Sequence, residues 1–121
     1  MNRIATSALL ALIEESGMAV ATLAEGLDEA ELRRSRLTRF EMLRHLRVLA
    51  SSANAVPPLA REDMPELDWD GWGLLSLRLQ ANAGEDLDEA IWFATHSMVP
   101  ATLLWLRVYR QGQPRLFVMT P

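Results

Sequence analysis

The chain has 121 residues, half of them apolar and 23% charged, with a net charge of −4. That length implies one domain, residues 1–121, around one core, and that balance excludes a disordered, self-repelling tail protein. With no Cys, disulfides, thiolate metal sites and cysteine nucleophiles are excluded as well.

All 12 basic residues are Arg and none is Lys, for which an Arg-favouring codon bias is the simple account. The charges are unevenly spread. Residues 33–47 hold six Arg against Glu41, whereas residues 61–89 hold nine acids against Arg61 and Arg78. Two such segments can pair within the chain or between subunits, or leave a local basic patch on an acidic protein. Glu14, Glu15 and Ser16 break the apolar start. No uninterrupted run therefore approaches the roughly 18–20 residues of a membrane span. A basic n-region ahead of a long apolar core is also missing. The expectation is a cytoplasmic protein with no membrane partner.

The periodicity is helical along the chain. Leu9, Leu12, Ile13, Val20, Leu23 and Leu27 form a first stripe, closed by Gly26. Asp28 can cap a short helical turn. Thr38 and Glu41 fit a capping box opening a second helix, whose buried face is Leu43, Leu46, Ala50 and Ala53, widened by Met42 and Leu49. Pro57-Pro58 ends it. Residues 59–67 read as a connection with one helical turn. Asp68 caps a third helix to Ala81, carrying Trp69, Trp72, Leu75 and Leu79 on one side. Gly71 and Gly73 weaken it, and Gly73 suggests a close helix contact. After the loop Asn82–Gly84, Asp86 and Glu89 resemble a cap for a fourth helix from Leu87 to Arg110. Its stripe is Ile91, Met98, Trp105 and Val108, beside Trp92, Val99 and Leu106, with a kink at Pro100. The apolar tail Leu116–Met119 packs on the bundle or on a partner. The expected fold is an all-α, antiparallel four-helix up-and-down bundle with a kinked last helix and a short C-terminal tail.

No Gly-rich phosphate loop, Gly-x-Ser-x-Gly elbow, His-Glu-x-x-His pair or calcium loop occurs. Asp68, Asp70, Glu85, Asp86, Asp88 and Glu89 stand in groups at helix starts, where the dipole favours negative charge. His45, beside Arg44 and Arg47, reads as a surface histidine, and His96 as a structural one. Without a Glu-x-x-His set, no metal site is expected, and no cofactor. Core packing accounts for Trp69, Trp72, Trp92 and Trp105 at helical spacing, with base or partner stacking as the alternative.

Taken together, the segments resemble the HepT-like family of the HEPN superfamily over roughly residues 9–106. Gly26-Leu27 with the acidic turn after it resembles the end of the family's first helix. The run Leu43–Ala50 followed by Ala53 is similar to its second. Pro65 to Trp69 resembles the Pro-x-Ile-Pro-Trp entry to its third. Asp86-Leu87 with Ile91-Trp92 resembles a Val-Asp…Val-Trp pattern, and Val99-Pro100 a Leu-Pro pair. The resemblance implies a homodimer with a minimal nucleotidyltransferase partner in a toxin–antitoxin pair. Active members are ribonuclease toxins whose motif is Arg, four to six residues, then His, often followed by x-Tyr. The Arg would stabilise charge on phosphate and the His transfer a proton, and the Tyr receives nucleotide from the antitoxin.

Counting from Trp69, those positions fall on Ser76, Ala81 and Ala83. Arg78 is nearby, but the next His is His96, in another helix. The resemblance therefore implies the scaffold without its catalytic residues. The leading expectation is a non-catalytic HepT-like binding subunit, with Arg39, Arg44, Arg47 and Arg78 as candidate contacts. One alternative is a ribonuclease with a displaced pair, Arg78 with His96 or Arg44 with His45. Another is an unrelated helical module that binds nucleic acid through its Arg segment.

Overall fold

A computed structural model describes residues 3–81 and 83–118, and every regular element among them is helical. Helix α1 spans Arg3–Ala24, α2 Glu29–Arg34, α3 Arg36–Ala55, α4 Pro58–Glu62, α5 Trp69–Ala81, α6 Gly84–Phe93 and α7 Val99–Gly112. A π-helical segment, Ala94–Met98, joins α6 to α7, and a 3-10 turn, Pro114–Phe117, follows. The all-α class is as the periodicity requires. The short helices α2 and α4 fall where single helical turns were expected.

Helix α1 packs against both α3 and α7. Its buried face is Leu10, Ile13 and Val20 with Thr6, Ser7 and Ser16, so the expected stripe is rotated: Leu10 is fully buried while Leu12 is 43% exposed. The Ser7 hydroxyl donates to the Ile4 carbonyl at 3.0 Å, which satisfies a polar group inside the core. Gly17 permits a close approach of α1 to its neighbours. A Cβ there would stand 3.0 Å from the Leu103 side chain of α7 and 3.6 Å from Leu49 of α3. Gly26, with φ of +77°, turns the chain away after α1 in a conformation that favours glycine.

By length and composition α1 is also apolar enough to cross a membrane, with a mean hydropathy of 1.4, although 39% of that window is buried inside the fold. The expectation of no such segment looked for an unbroken apolar run. Glu14 and Glu15 interrupt the run without removing the average.

The capping Asp28 behaves as expected: its carboxylate accepts from Glu31 N at 2.7 Å, and Glu31 returns the bond to Asp28 N at 3.4 Å. The second expected cap is corrected. Helix α3 is capped by Ser35, whose Oγ accepts from Thr38 N at 3.3 Å and donates to Thr38 Oγ1 at 2.7 Å. Thr38 is thus inside the helix, and Glu41 is free to pair further along it. Met42, Leu46, Leu49, Ala50 and Ala53 are buried as expected, with Leu43 partly so. Val56 is extended before Pro57. The last turn of α3 carries no basic residue of its own; Arg61 of α4 instead donates to the carbonyls of Val56 and Asn54, each at 2.8 Å, and of Ala53 at 3.5 Å. That contact closes the helix end with a charge of the sign the dipole favours.

Asp68 caps α5 as expected, accepting from Gly71 N at 2.9 Å. Of the two glycines, Gly71 is the constrained one, because a Cβ there would collide with the Asp68 carboxylate. Gly73 corrects the expected close contact: its nearest neighbour, Asn54 Oδ1, would lie at an ordinary 3.6 Å. Trp72 is buried and its indole donates to Thr102 Oγ1 at 3.0 Å, tying α5 to α7. Trp69, Trp92 and Trp105 are half-buried against the core. Tyr109 accepts from Glu66 N at 3.1 Å and fixes the loop before α5.

Helix α6 begins at Gly84, not Leu87, and its N-cap, Ala83, provides no side-chain bond. Asp86 lies inside its first turn, where charge and dipole agree, and does not cap. Asn82 lies outside the described residues. Pro100 has no N–H to give a carbonyl four residues back, and its ring would crowd that carbonyl; the helix accommodates it through the preceding π segment.

Each residue in a helix is worth about 100° of rotation, so Tyr109 comes about five whole turns after Ile91 and shares its face, whereas Val108 stands about 100° off it. Tyr109 is accordingly buried and Val108 44% exposed. Leu106, expected beside the stripe, is buried, and Trp105 is half-buried. Leu116 and Phe117 of the tail pack on the core, and the Arg110 guanidinium lies 4.5 Å above the Phe117 ring while bonding Glu14 at 2.8 Å. Met119 of the expected tail lies outside the described residues.

The two glycines of α5 should separate on replacement. Gly73→Ala gains helix propensity of roughly 0.5–1 kcal/mol, whereas Gly71→Ala must displace the capping carboxylate, itself worth ~1 kcal/mol. Urea unfolding should place Gly73→Ala above the parent and above Gly71→Ala; equal midpoints would contradict the cap geometry.

Candidate functional site

Ser76 is half-buried on the side of α5 that faces α3. It lines an open cavity of about 280 Å³ with Arg47, Ala50, Ser51, Asn54, Leu79 and Gln80. Arg47, Ser51 and Asn54 follow one another by four and three residues on α3, and Ser76 and Gln80 by four on α5, so each set shares a helix face. Arg47 is the one charged residue of this lining. Ala81, the last residue of α5, and Ala83, in the link to α6, are exposed and outside the cavity. Sequence reading found Arg47 and Ser76 separately. The i, i+4 spacing of polar residues on both helices was the available sign that Ser51, Asn54 and Gln80 would join them.

Neither His reaches this place. His45 is on α3, with Nε2 3.3 Å from Arg44 Nη2 and 3.9 Å from Glu41 Oε2. Its neighbour Arg44 is held by Glu41 at 2.8 Å. His96 is in the π segment and packs on Trp92 with ring centroids 3.7 Å apart. Arg78 is exposed, two residues and so about 200° around α5 from Ser76. Among the described residues no hydrogen bond, ion pair or cavity brings Arg78 and His96 together.

The basic segment is partly spent on pairing inside the chain. Arg39 meets Asp88 of α6 at 3.3 Å, the one bridge among the described residues between the Arg-rich and acid-rich segments. Arg33 pairs locally with Glu29 at 2.8 Å, leaving its Nε buried without a partner. Arg36, Arg47 and Arg78 make no ion pair among the described residues. Arg36 and Arg39 border a second open cavity of about 270 Å³ with Phe40, Leu43, Leu87 and Ile91. Phe40 is 62% exposed and Leu37 beside it 75%. The outer face of α3 therefore alternates guanidinium groups with bare apolar side chains, a composition suited to binding. The helical spacing implies that face, but only the tertiary packing shows that nothing covers Leu37 and Phe40.

No group of three His, Asp or Glu that could hold a metal ion occurs among the described residues. The Ser76 cavity offers a guanidinium, two hydroxyls and two carboxamides, which can hold an oxyanion or a polar backbone. It offers no group that titrates near neutral pH to move a proton. No family model, curated protein or solved structure matches this chain.

The Arg44 guanidinium, hydrogen-bonded to Glu41, holds that carboxyl below its ordinary value; desolvation opposes the shift, and the charges of Arg44 and His45 reinforce it. A carboxyl lowered on folding contributes stability that is present above its unfolded pKa and lost as pH falls through the folded one. Carboxyl-detected NMR titration should find Glu41 titrating below the usual Glu range, and Arg44→Ala should return it upward. A midpoint unmoved by Arg44→Ala would show that the bond does not persist in solution.

Proposed function

We propose that this chain is a HepT-like helical-bundle subunit that binds rather than cleaves, working as a homodimer beside a minimal nucleotidyltransferase in a toxin–antitoxin type of system. On this reading α1, α3, α5 and the continuous α6–π–α7 rod are the four antiparallel rods of an up-and-down bundle. Helices α2 and α4 are additions within its connections.

The reading is carried by one observation. Where the resembled nuclease has Arg, His and Tyr, this chain has Ser76, Ala81 and Ala83, and the one ionisable side chain lining the Ser76 cavity is Arg47. A guanidinium stays protonated at any physiological pH. It can hold a phosphate or carboxylate but cannot take the proton of an attacking hydroxyl. The uncovered face of α3, with Arg36, Leu37, Phe40 and Arg47, supports the binding role by supplying charge and apolar anchors together.

Co-expression with the protein encoded by the adjacent gene, followed by size analysis, tests the partner claim. A nucleotidyltransferase there should co-elute, and Phe40→Ala with Arg36→Glu should weaken the complex by on the order of tenfold or more. The chain alone should leave RNA intact. RNA cleavage abolished by His45→Ala or His96→Ala would overturn the binding role in favour of a displaced nuclease centre. Strongly salt-dependent binding to nucleic acid, with no protein partner, would favour the nucleic-acid module instead.

A further inference from the structure

The two cavities beside α3 lie along one stripe of that helix. Arg36, Arg39, Phe40 and Leu43 line the cavity of about 270 Å³, and Arg47, Ala50, Ser51 and Asn54 line the one of about 280 Å³. Positions 36, 40, 43, 47, 50 and 54 follow one another in alternating steps of four and three, so they form a single seam down the helix. At about 1.5 Å per residue the seam is about 27 Å long. Its opposite wall comes from the end of α5, with Ser76, Leu79 and Gln80, and the start of α6, with Gly84, Leu87 and Ile91. The floor is apolar: Ala50, Leu79 and Ile91 are buried, and Leu43 and Leu87 are half-buried.

Two side chains set the charge of this groove. Arg39 and Asp88 both line it but neutralise one another at 3.3 Å. Arg44, off the seam, is held by Glu41. Arg36 and Arg47 are exposed and make no ion pair among the described residues. Eleven residues separate them, which is about 16 Å along the axis and within about 20° of three full turns, so both stand on the same side of α3. The acids in the first turn of α6, Glu85 and Asp86, line neither cavity. The groove therefore has an apolar floor at Phe40 and Leu43 with an uncompensated guanidinium on either side of it.

We infer that this groove docks an acidic amphipathic helix of the partner protein, its apolar side chains seated on Phe40, Leu43 and Leu87 and two carboxylates meeting Arg36 and Arg47. The inference rests on the binding role proposed above and names the chemistry of the segment that is bound. A helix lying along α3 repeats with the same period, so its own residues eleven apart reach both guanidinium groups, while those between them face the apolar floor. Each guanidinium can take a carboxylate through two parallel hydrogen bonds. Ser51, Asn54, Ser76 and Gln80 supply donors and acceptors for the backbone groups that an incoming helix leaves unpaired at its end. A nucleic acid fits less well, because its closely spaced phosphates would meet two free cations, an apolar floor and the Asp88 carboxylate.

Binding of a capped, alanine-based helical peptide to the full chain tests the inference, read by the anisotropy of a label on the peptide and by amide NMR. The peptide carries two Glu eleven residues apart, with two Leu between them on the same face. Saturable binding is expected, with shifts at Phe40, Leu43, Arg47 and Leu79. Arg36→Glu and Arg47→Glu should each weaken it by roughly tenfold. Arg107→Glu, on the exposed surface of α7, should leave it unchanged. Exchanging both Glu of the peptide for Arg should abolish binding to the parent and restore it to the chain carrying Arg36→Glu and Arg47→Glu together, a gain that an unfolded variant could not give. Equal binding of the acidic peptide by parent and double variant, or binding unchanged when its Leu are replaced by Ser, would overturn the inference. Tighter binding of a single-stranded RNA of matching length through the same two Arg would overturn it in favour of nucleic acid. If the nucleotidyltransferase co-elutes but the peptide does not bind, the groove is overturned and the binding role stands. Peptide binding without co-elution supports the groove and removes the nucleotidyltransferase.

Discussion

The structure depends on the burial of one face of α1. Leu10, Ile13 and Val20 leave water there, and Gly17 brings α7 and α3 onto the same turn of the helix. Burying side chains of this size stabilises by about 1.5–3 kcal/mol each. The small residue at the crossing decides how close the partners come. Helix α5 is organised separately, through Trp72 and its bond to Thr102 on α7. These two contacts set the spacing of α3 and α5, and with it the opening in which Arg47 and Ser76 face each other.

Closing the fold also requires groups borrowed across sequence distance. Arg61 satisfies the carbonyl end of α3 from the following helix, and Tyr109 receives the backbone of the loop before α5. Both bonds replace water at backbone groups that packing would otherwise leave unpaired. They hold the polar connection between α3 and α5 in place without a long regular element there. The acidic residues of that stretch remain at the surface, and the basic side chains of α3 keep their outward orientation except where Arg39 reaches Asp88.

The helical class, most of the helix ends and the core of α3 and α5 were legible in the sequence, because capping residues, prolines and apolar spacing are local signals. Ser35 was missed because Thr38 and Glu41 offered a competing box three residues on, and either start is consistent with local chemistry. The faces of α1 and α7 were misplaced for different reasons. In α1, small and apolar residues surround the helix, so the stripe alone cannot rank Leu10 above Leu12. In α7, steps of seven and three residues drift off the helical period, so the expected stripe ends at Val108, about 100° from the face of Ile91 that Tyr109 shares. As for the candidate site, the missing Arg and His were legible directly. The neighbours of Ser76 were not, since Arg47 and Asn54 reach it only through the packing of α3 on α5.

The π segment has a wider consequence. Helix α7 carries two overlapping apolar faces, one through Trp105 and Val108 and one through Leu106 and Tyr109, and chain length rather than composition selects between them. A single-residue deletion within 94–98 would take out the extra residue that a π turn holds and leave Leu106 and Tyr109 facing inward, whereas one residue added there would turn everything that follows by about 100°. For a helix written this way, insertion and deletion differ in effect: one lost codon is absorbed by the π turn, while one gained codon can change what the protein presents to its surroundings with every side chain on α7 the same.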